Sequence, residues 1–219
     1  MNNKINNLTD LSNLLSKDVF KKQGSIMIYV GGIPQVSRSN DIVGNCLQEW
    51  LPAWFKDNGL NLTPNPHTQE FPDFVAHFKD GDVDMDIKCW NFENSPAFDI
   101  ANFNSFYKVI YSNPAKLKAK YLTIGYKPNI HGFTIEYIDI KNLWDILGPT
   151  RKYPLGIQVK SKRPYAIRPI NFLKNPDSSF GNLKDLIYAV KEARELFNDE
   201  ETYDFNPDEW LNKVMKYVY

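Results

Sequence analysis

The segment Phe71-Pro72-Asp73-Phe74-Val75-Ala76-His77-Phe78-Lys79-Asp80-Gly81-Asp82-Val83-Asp84-Met85-Asp86-Ile87-Lys88 spaces two carboxylates and one ammonium so that a β-hairpin would gather them. A two-residue turn at Asp80-Gly81 pairs Phe74 with Ile87, Ala76 with Met85 and Phe78 with Val83, giving an apolar face. The opposite face then pairs Asp73 with Lys88, Val75 with Asp86, His77 with Asp84 and Lys79 with Asp82. A slip of one residue would destroy both faces. In this register Asp73 lies beside Lys88 and diagonal to Asp86, all on one side of the sheet. Paired carboxylate oxygens suit a hard divalent cation, normally Mg²⁺, which takes its remaining ligands from water and substrate phosphate. Lys88 would orient or help deprotonate an attacking water and stabilise charge developing on phosphate. The same pattern also fits a surface hairpin carrying a cross-strand ion pair worth under about 1 kcal/mol.

Pro72-Asp73, twelve residues, then Asp86-Ile87-Lys88 resembles the PD-(D/E)xK nuclease signature. Further segments extend the resemblance: Ser37-Arg38-Ser39-Asn40-Asp41-Ile42-Val43-Gly44-Asn45, Gln48-Glu49-Trp50-Leu51, Gln69-Glu70-Phe71, Ile87-Lys88-Cys89-Trp90-Asn91, Pro96-Ala97-Phe98-Asp99-Ile100-Ala101-Asn102-Phe103 and Gly156-Ile157-Gln158-Val159-Lys160. Together they look like type II restriction endonucleases of the NgoBV kind, from about Gly31 to Ile170. The resemblance implies Mg²⁺-dependent double-strand cleavage of a short palindromic site, GGNNCC in that kind, by a homodimer leaving 5′-phosphate ends. A cognate DNA methyltransferase is expected in the same system. Carried over, Asp73 and Asp86 are metal ligands, Lys88 the water-positioning base, and the Ile87 carbonyl a further ligand. Glu49 is the candidate for an additional acid on the preceding helix, with Gln48 or Glu70 as alternatives. Gln158-Val159-Lys160 is a competing triplet of Q-x-K form, ranked lower because no Pro-Asp precedes it at suitable spacing. A structure-specific repair or junction nuclease, and a non-catalytic DNA-binding module, are the rival functions.

The elements that must position these residues are readable from periodicity and punctuation. Helices are expected over Leu8 to Phe20, from Asn40 or Asp41 to Asp57 with Pro52 as a possible kink, and from the Ser95-Pro96 cap to about Ser112. Further helices are expected at Lys141 to Leu147, Leu183 to Phe197 and Pro207 to Val218. Strands are expected at Ser25 to Val30, in the hairpin, at Tyr121 to Tyr126 and Phe133 to Ile140, and at Pro154 to Lys160 with Pro164 to Ile170. The expectation is an α/β (α+β) chain with a mixed central sheet flanked by helices, folded as one domain over residues 1–219. Its parts are the catalytic hairpin at 71–90, a basic segment at about 146–176 and an acidic helical end at 182–219.

The 219 residues carry 26 Lys plus Arg against 26 Asp plus Glu, and the zero net charge superficially argues against a polyanionic partner. The charge is segregated, however. Between Asp145 and Asp177 there is no acid, but Arg151, Lys152, Lys160, Lys162, Arg163, Arg168 and Lys174 are basic, while residues 192–209 are strongly acidic. Such blocks fit a polyanion-binding face, and the resemblance implies double-stranded DNA as that polyanion. Lys160, Lys162, Arg163 and Arg168 are the candidates there, with Arg38 ahead of the second helix, since Arg reads guanine edges and Lys holds phosphate.

Cys46 and Cys89 suit a reducing compartment rather than a disulfide scaffold. No apolar run approaches the roughly 20 residues of a membrane span. With no signal-peptide pattern, the expected location is cytoplasmic. His67, His77 and His131 lack zinc-ligand spacing, and Cys89 alternates onto the apolar face with Ile87. Asp99 and Asn102 would either orient the site or cap their helix. Trp50 and Trp54, four apart, read as core or dimer contacts.

Overall fold

The computed structural model describes residues 5–37, 39, 42–66, 71–197 and 206–218. In chain order the elements are α1 (Leu8–Asp18), β1 (Gln23–Gly24), β2 (Met27–Val30), β3 (Ile33–Val36), α2 (Val43–Asp57), β4 (Asn61–Pro64), β5 (Phe74–Phe78), β6 (Gly81–Asn91) and β7 (Ala101–Asn102). There follow α3 (Phe103–Ser112), a 3₁₀ turn, β8 (Lys120–Asn129), β9 (Gly132–Asn142), α4 (Leu143–Ile146), β10 (Ile157–Lys160), β11 (Arg163–Ile167), a second 3₁₀ turn, α5 (Leu183–Leu196) and α6 (Pro207–Val218). They divide between two compact units, residues 1–96 with 120–141, and residues 97–119 with 142–219.

The first unit is a six-stranded sheet in the order β1-β9-β8-β6-β5-β4. It is mixed, because β6 runs parallel to β8 while β5 is antiparallel to both β6 and β4. One sheet face is dry. Phe74, Ala76, Phe78, Met85, Ile87, Leu122, Ile124, Phe133 and Ile135 pack there with Leu11, Leu14 and Leu15 of α1 and Leu47, Leu51 and Phe55 of α2. The buried residues of α2 recur every four positions, so burial follows the helical stripe, and the helix runs unbroken through Pro52. Gly132 opens β9 at φ 135°, and a Cβ there would lie 2.2 Å from the Gly24 carbonyl oxygen.

The hairpin register differs from expectation by two residues. Phe74 pairs with Met85, Val75 with Asp84, Ala76 with Val83, His77 with Asp82 and Phe78 with Gly81. The two-residue turn is therefore Lys79-Asp80. Neither of these residues takes a positive φ, whereas Gly81 does, at 136°. That is the signature of a turn with glycine at its fourth position rather than its third. Because the pleat repeats every two residues, the shift keeps each side chain on its expected face.

In the second unit β7, β11 and β10 form a three-stranded sheet. α3 starts at Phe103, not after Ser95-Pro96. The Asn102 side chain accepts from the N–H groups of Asn104 and Ser105 at 3.1 Å, while the preceding Ile100 N–H donates to the Ile167 carbonyl along the sheet. Trp210 of α6 stacks on Tyr107 of α3 at 4.8 Å and donates to its carbonyl at 2.9 Å.

Candidate active site

β5 stops at Phe74, but β6 continues beside β8 to Asn91, so the Ile87 peptide faces an edge its neighbour has left. Two side chains fill the gap. The Ile87 N–H donates to Asp73 Oδ2 at 2.7 Å, and Gln48 Nε2 of α2 donates to the Ile87 carbonyl at 2.7 Å. Asp73 is itself held by Asn65, whose N–H donates to the Asp73 carbonyl and whose amide donates to the Pro72 carbonyl, each at 2.9 Å. A buried backbone group left unpaired costs about as much as a missing hydrogen bond, so these interactions fix Asp73 against the strand.

Asp86 is only 2% exposed, and Lys88 Nζ lies 2.8 Å from its Oδ2. The Lys88 ammonium is thus the charged partner of a buried carboxylate. Burial pushes the Asp86 carboxyl up to about 6; Lys88 opposes the rise and neighbouring Asp73 adds to it. Tyr121 of β8 is level with Asp86 in the parallel register and fully buried, and its hydroxyl has no hydrogen-bond partner among the described residues. Burial, then Asp86 and Asp73, hold that hydroxyl in its neutral form. The Phe71 ring stacks on Tyr121 at 6.1 Å.

A cavity of about 1000 Å³ opens beside the site, walled by Gln48, Glu49, Lys56, Thr63, Asp73 and Ile87 among others. Asp86 and Lys88 are not part of its wall. Asp73 is thus the carboxylate that reaches open space, and Asp86 the one kept dry. Among the described residues no three His, Cys, Asp or Glu side chains gather as a metal group. A divalent ion here would combine Asp73 and Asp86 with the Ile87 carbonyl, water and phosphate, an all-oxygen donor set that fits a hard cation.

Asp73, Asp86 and Lys88 therefore converge, but not in the expected pairs. Continuing the observed register by one residue sets Asp73 level with Asp86, and the ion pair joins Asp86 to Lys88 along one strand. Gln48, rather than Glu49, touches the Ile87 peptide, while Glu49 stands exposed on the cavity wall. Glu70, Arg38 and His67 lie outside the described residues. His77 bridges Asp82 at 2.8 Å and Thr63 at 2.7 Å in a surface network, in place of Asp84. Cys89 packs against the core, and burial pushes its thiol up to about 12.

In the second unit Lys160 and Arg163 close the β10–β11 hairpin across Ser161 and Lys162, which both take positive φ as a type I′ turn requires. Lys160 lies over the Tyr165 ring at 3.5 Å. Arg168 is bound by Asp99 at 2.8 Å, so Asp99 serves that arginine. Tyr121 and Asn65 escape sequence reasoning, because their roles come from neighbours distant in the chain.

The model of the NgoBV restriction endonuclease family matches residues 6–219. The chain belongs to that family. It is 30% identical over 180 residues to the type II restriction enzyme NlaIV of Neisseria lactamica, covering 80% of this chain and 74% of that protein. To the type II restriction enzyme NgoBV of Neisseria gonorrhoeae it is 28% identical over 152 residues, covering 68% and 85%. The solved NlaIV restriction endonuclease superposes with a TM-score of 0.84 at 25% identity, over 96% of this chain and 87% of the other. This NgoBV-family chain therefore has the PD-(D/E)xK restriction-endonuclease-like fold, a mixed sheet flanked by helices, as expected from its sequence. Among its described residues no helix is long and apolar enough to cross a membrane.

Proposed function

We propose that this restriction endonuclease makes Mg²⁺-dependent double-strand cuts in a short palindromic DNA site, with GGNNCC the first to test. It acts as a homodimer in the cytoplasm, beside a methyltransferase that protects the same site. The gathering of Asp73, Asp86 and Lys88, with Asp73 on the Ile87 N–H and Lys88 on Asp86, carries this reading. When bound, the cation supplies Lewis acidity and neutralises phosphate charge. Asp73 and Asp86, with the Ile87 carbonyl, would hold it, and Gln48 and Asn65 keep those groups in place. Lys88 orients a water for in-line attack and donates to the phosphate oxygen as charge develops. A new P–O bond forms to the water oxygen, the P–O3′ bond breaks, and the proton from water goes to solvent or the leaving oxygen. The products are a 5′-phosphate and a 3′-hydroxyl. Lys160, Lys162 and Arg163 engage the duplex, with Asp99 orienting Arg168 beside them, and Glu49 lines the approach to Asp73.

The test is plasmid digestion with Mg²⁺ followed by sequencing of the ends. Discrete fragments with 5′-phosphates are expected. Asp86→Ala and Lys88→Ala should each lower cleavage by at least about a hundredfold while specific binding stays measurable in a gel-shift assay. Cutting only at branches or nicks would indicate a structure-specific nuclease, and wild-type cleavage by either variant would overturn the site.

A further inference from the structure

Arg168 follows β11 in a block of the chain without acids, yet the fold brings it a carboxylate from 69 positions away: its Nε donates to Asp99 Oδ1 at 2.8 Å. The backbone beneath the pair is fastened on both sides. The Ile100 N–H donates to the Ile167 carbonyl and the Arg168 N–H to the Gly156 carbonyl, each at 2.9 Å. A Cβ on residue 156 would lie 2.4 Å from the Arg168 carbonyl oxygen, so this approach needs the glycine. Ile100 and Ile167 are buried, while the side chains of Arg168 and Asp99 remain 36% and 43% exposed. An exposed ion pair adds little to stability. What this one fixes is the plane of the guanidinium, on a rigid sheet rather than a loop.

Asp99 occupies Nε, and the two terminal nitrogens of Arg168 carry no partner among the described residues. They form a flat fork of donors. Two ligands on a duplex offer paired acceptors to such a fork, a phosphate and the O6/N7 edge of guanine. Asp99 discriminates between them. Its carboxylate repels an anionic phosphate and cancels the charge that would release counterions. The neutral guanine edge meets no such repulsion, and the amino group of the paired cytosine can donate to the same carboxylate. The β10–β11 turn is of the other kind. Lys160 and Lys162 are exposed there, and an ammonium on a flexible stem suits phosphate. The five residues of β11 set Arg168 about 17 Å from that turn, a reach of about five base pairs.

We propose that Arg168, held in plane by Asp99, is a specificity-determining residue that reads a guanine in the major groove of the recognition site, while Lys160 and Lys162 hold phosphate. The proposal rests on the DNA-cleaving reading above and names how a sequence is chosen.

Fluorescence anisotropy of the full chain, with Ca²⁺ in place of Mg²⁺, tests it on a duplex bearing the site that digestion defines, GGNNCC first. The same duplex is made with 7-deazaguanine, which lacks N7, at each guanine in turn. Wild type should lose about tenfold in affinity at one guanine. Replacing the pair together, Arg168→Ala with Asp99→Ala, changes no net charge. That variant should bind the unmodified site about tenfold more weakly, show no further loss at that guanine, and keep the wild-type salt slope. Asp99→Asn retains the fork but frees its charge, and should give a steeper salt slope with a smaller 7-deazaguanine penalty. A wild type indifferent to 7-deazaguanine at every position overturns the proposal without any variant. So does a pair variant that keeps the full penalty, or whose salt slope flattens by about one as loss of a phosphate contact requires. Either result leaves the nuclease standing, whereas a wild type that neither binds nor cuts DNA overturns both.

Discussion

Asp86 combines burial, one cation and one like charge, and its acidity follows from their balance. Its folded value of about 6 stands above the ordinary 3.8, so between those values the folded chain holds a proton that the unfolded chain has released. The metal-free protein therefore loses stability from this group as pH rises from about 4 to about 6. Asp86→Asn imitates the protonated carboxyl. It should stabilise the metal-free protein at pH 8, by at most about 3 kcal/mol at 1.36 kcal/mol per unit, seen as a higher melting temperature, and leave it nearly unchanged at pH 4. Calorimetry at the two pH values checks this, and an equal shift at both would contradict the assignment of Asp86 as the strained group. At this scale much of the candidate site is legible in the sequence: Asp73, Asp86 and Lys88 stand out by spacing, alternation and the resemblance to the PD-(D/E)xK signature. Gln48 is one of three open alternatives there and Tyr121 is invisible, because a helix and a strand far off in sequence deliver them, and nothing in their own neighbourhoods marks them.

Among the elements, tight approaches decide what the sheet tolerates. Gly132→Ala would place a methyl 2.2 Å from the Gly24 carbonyl oxygen, on backbone at φ 135°. The expected loss is about 2 kcal/mol or more, read as a lower urea midpoint with an unchanged slope; a midpoint at the wild-type value would show that β1 simply yields. Sequence periodicity locates most helices and the long strands, since their buried stripes are several turns or pleats long. It fails where the signal is short or shared. β4, Asn61-Leu62-Thr63-Pro64, is a polar edge strand ending in proline and shows no alternation a reader could trust. Ser95-Pro96 has the form of a helix start, yet pairing along β11 draws the chain out as far as Asn102, which has the same capping chemistry. Sequence reasoning puts the hairpin turn one residue late because Asp80-Gly81 suits a primed turn as well as Lys79-Asp80 before glycine suits the unprimed one.

Across the molecule, zero net charge conceals a basic hairpin at Lys160–Arg163 in a block without acids. Replacing Lys160, Lys162 and Arg163 together with alanine should flatten the dependence of log affinity on log salt by about one for each phosphate no longer neutralised. Fluorescence anisotropy with duplex DNA between about 50 and 200 mM salt measures the slope, and an unchanged slope would remove this hairpin from the DNA face. Charge balance bears on the solution behaviour of the protein as well. With a sequence pI of about 6.8, copies near neutral pH have little mutual repulsion to hold them apart. The uncharged β2–β3 hairpin adds strand edges that any extended chain can pair with. Left uncovered, it makes neutral, low-salt buffer the condition of poorest colloidal stability, because exposed strand edges and absent repulsion there act together.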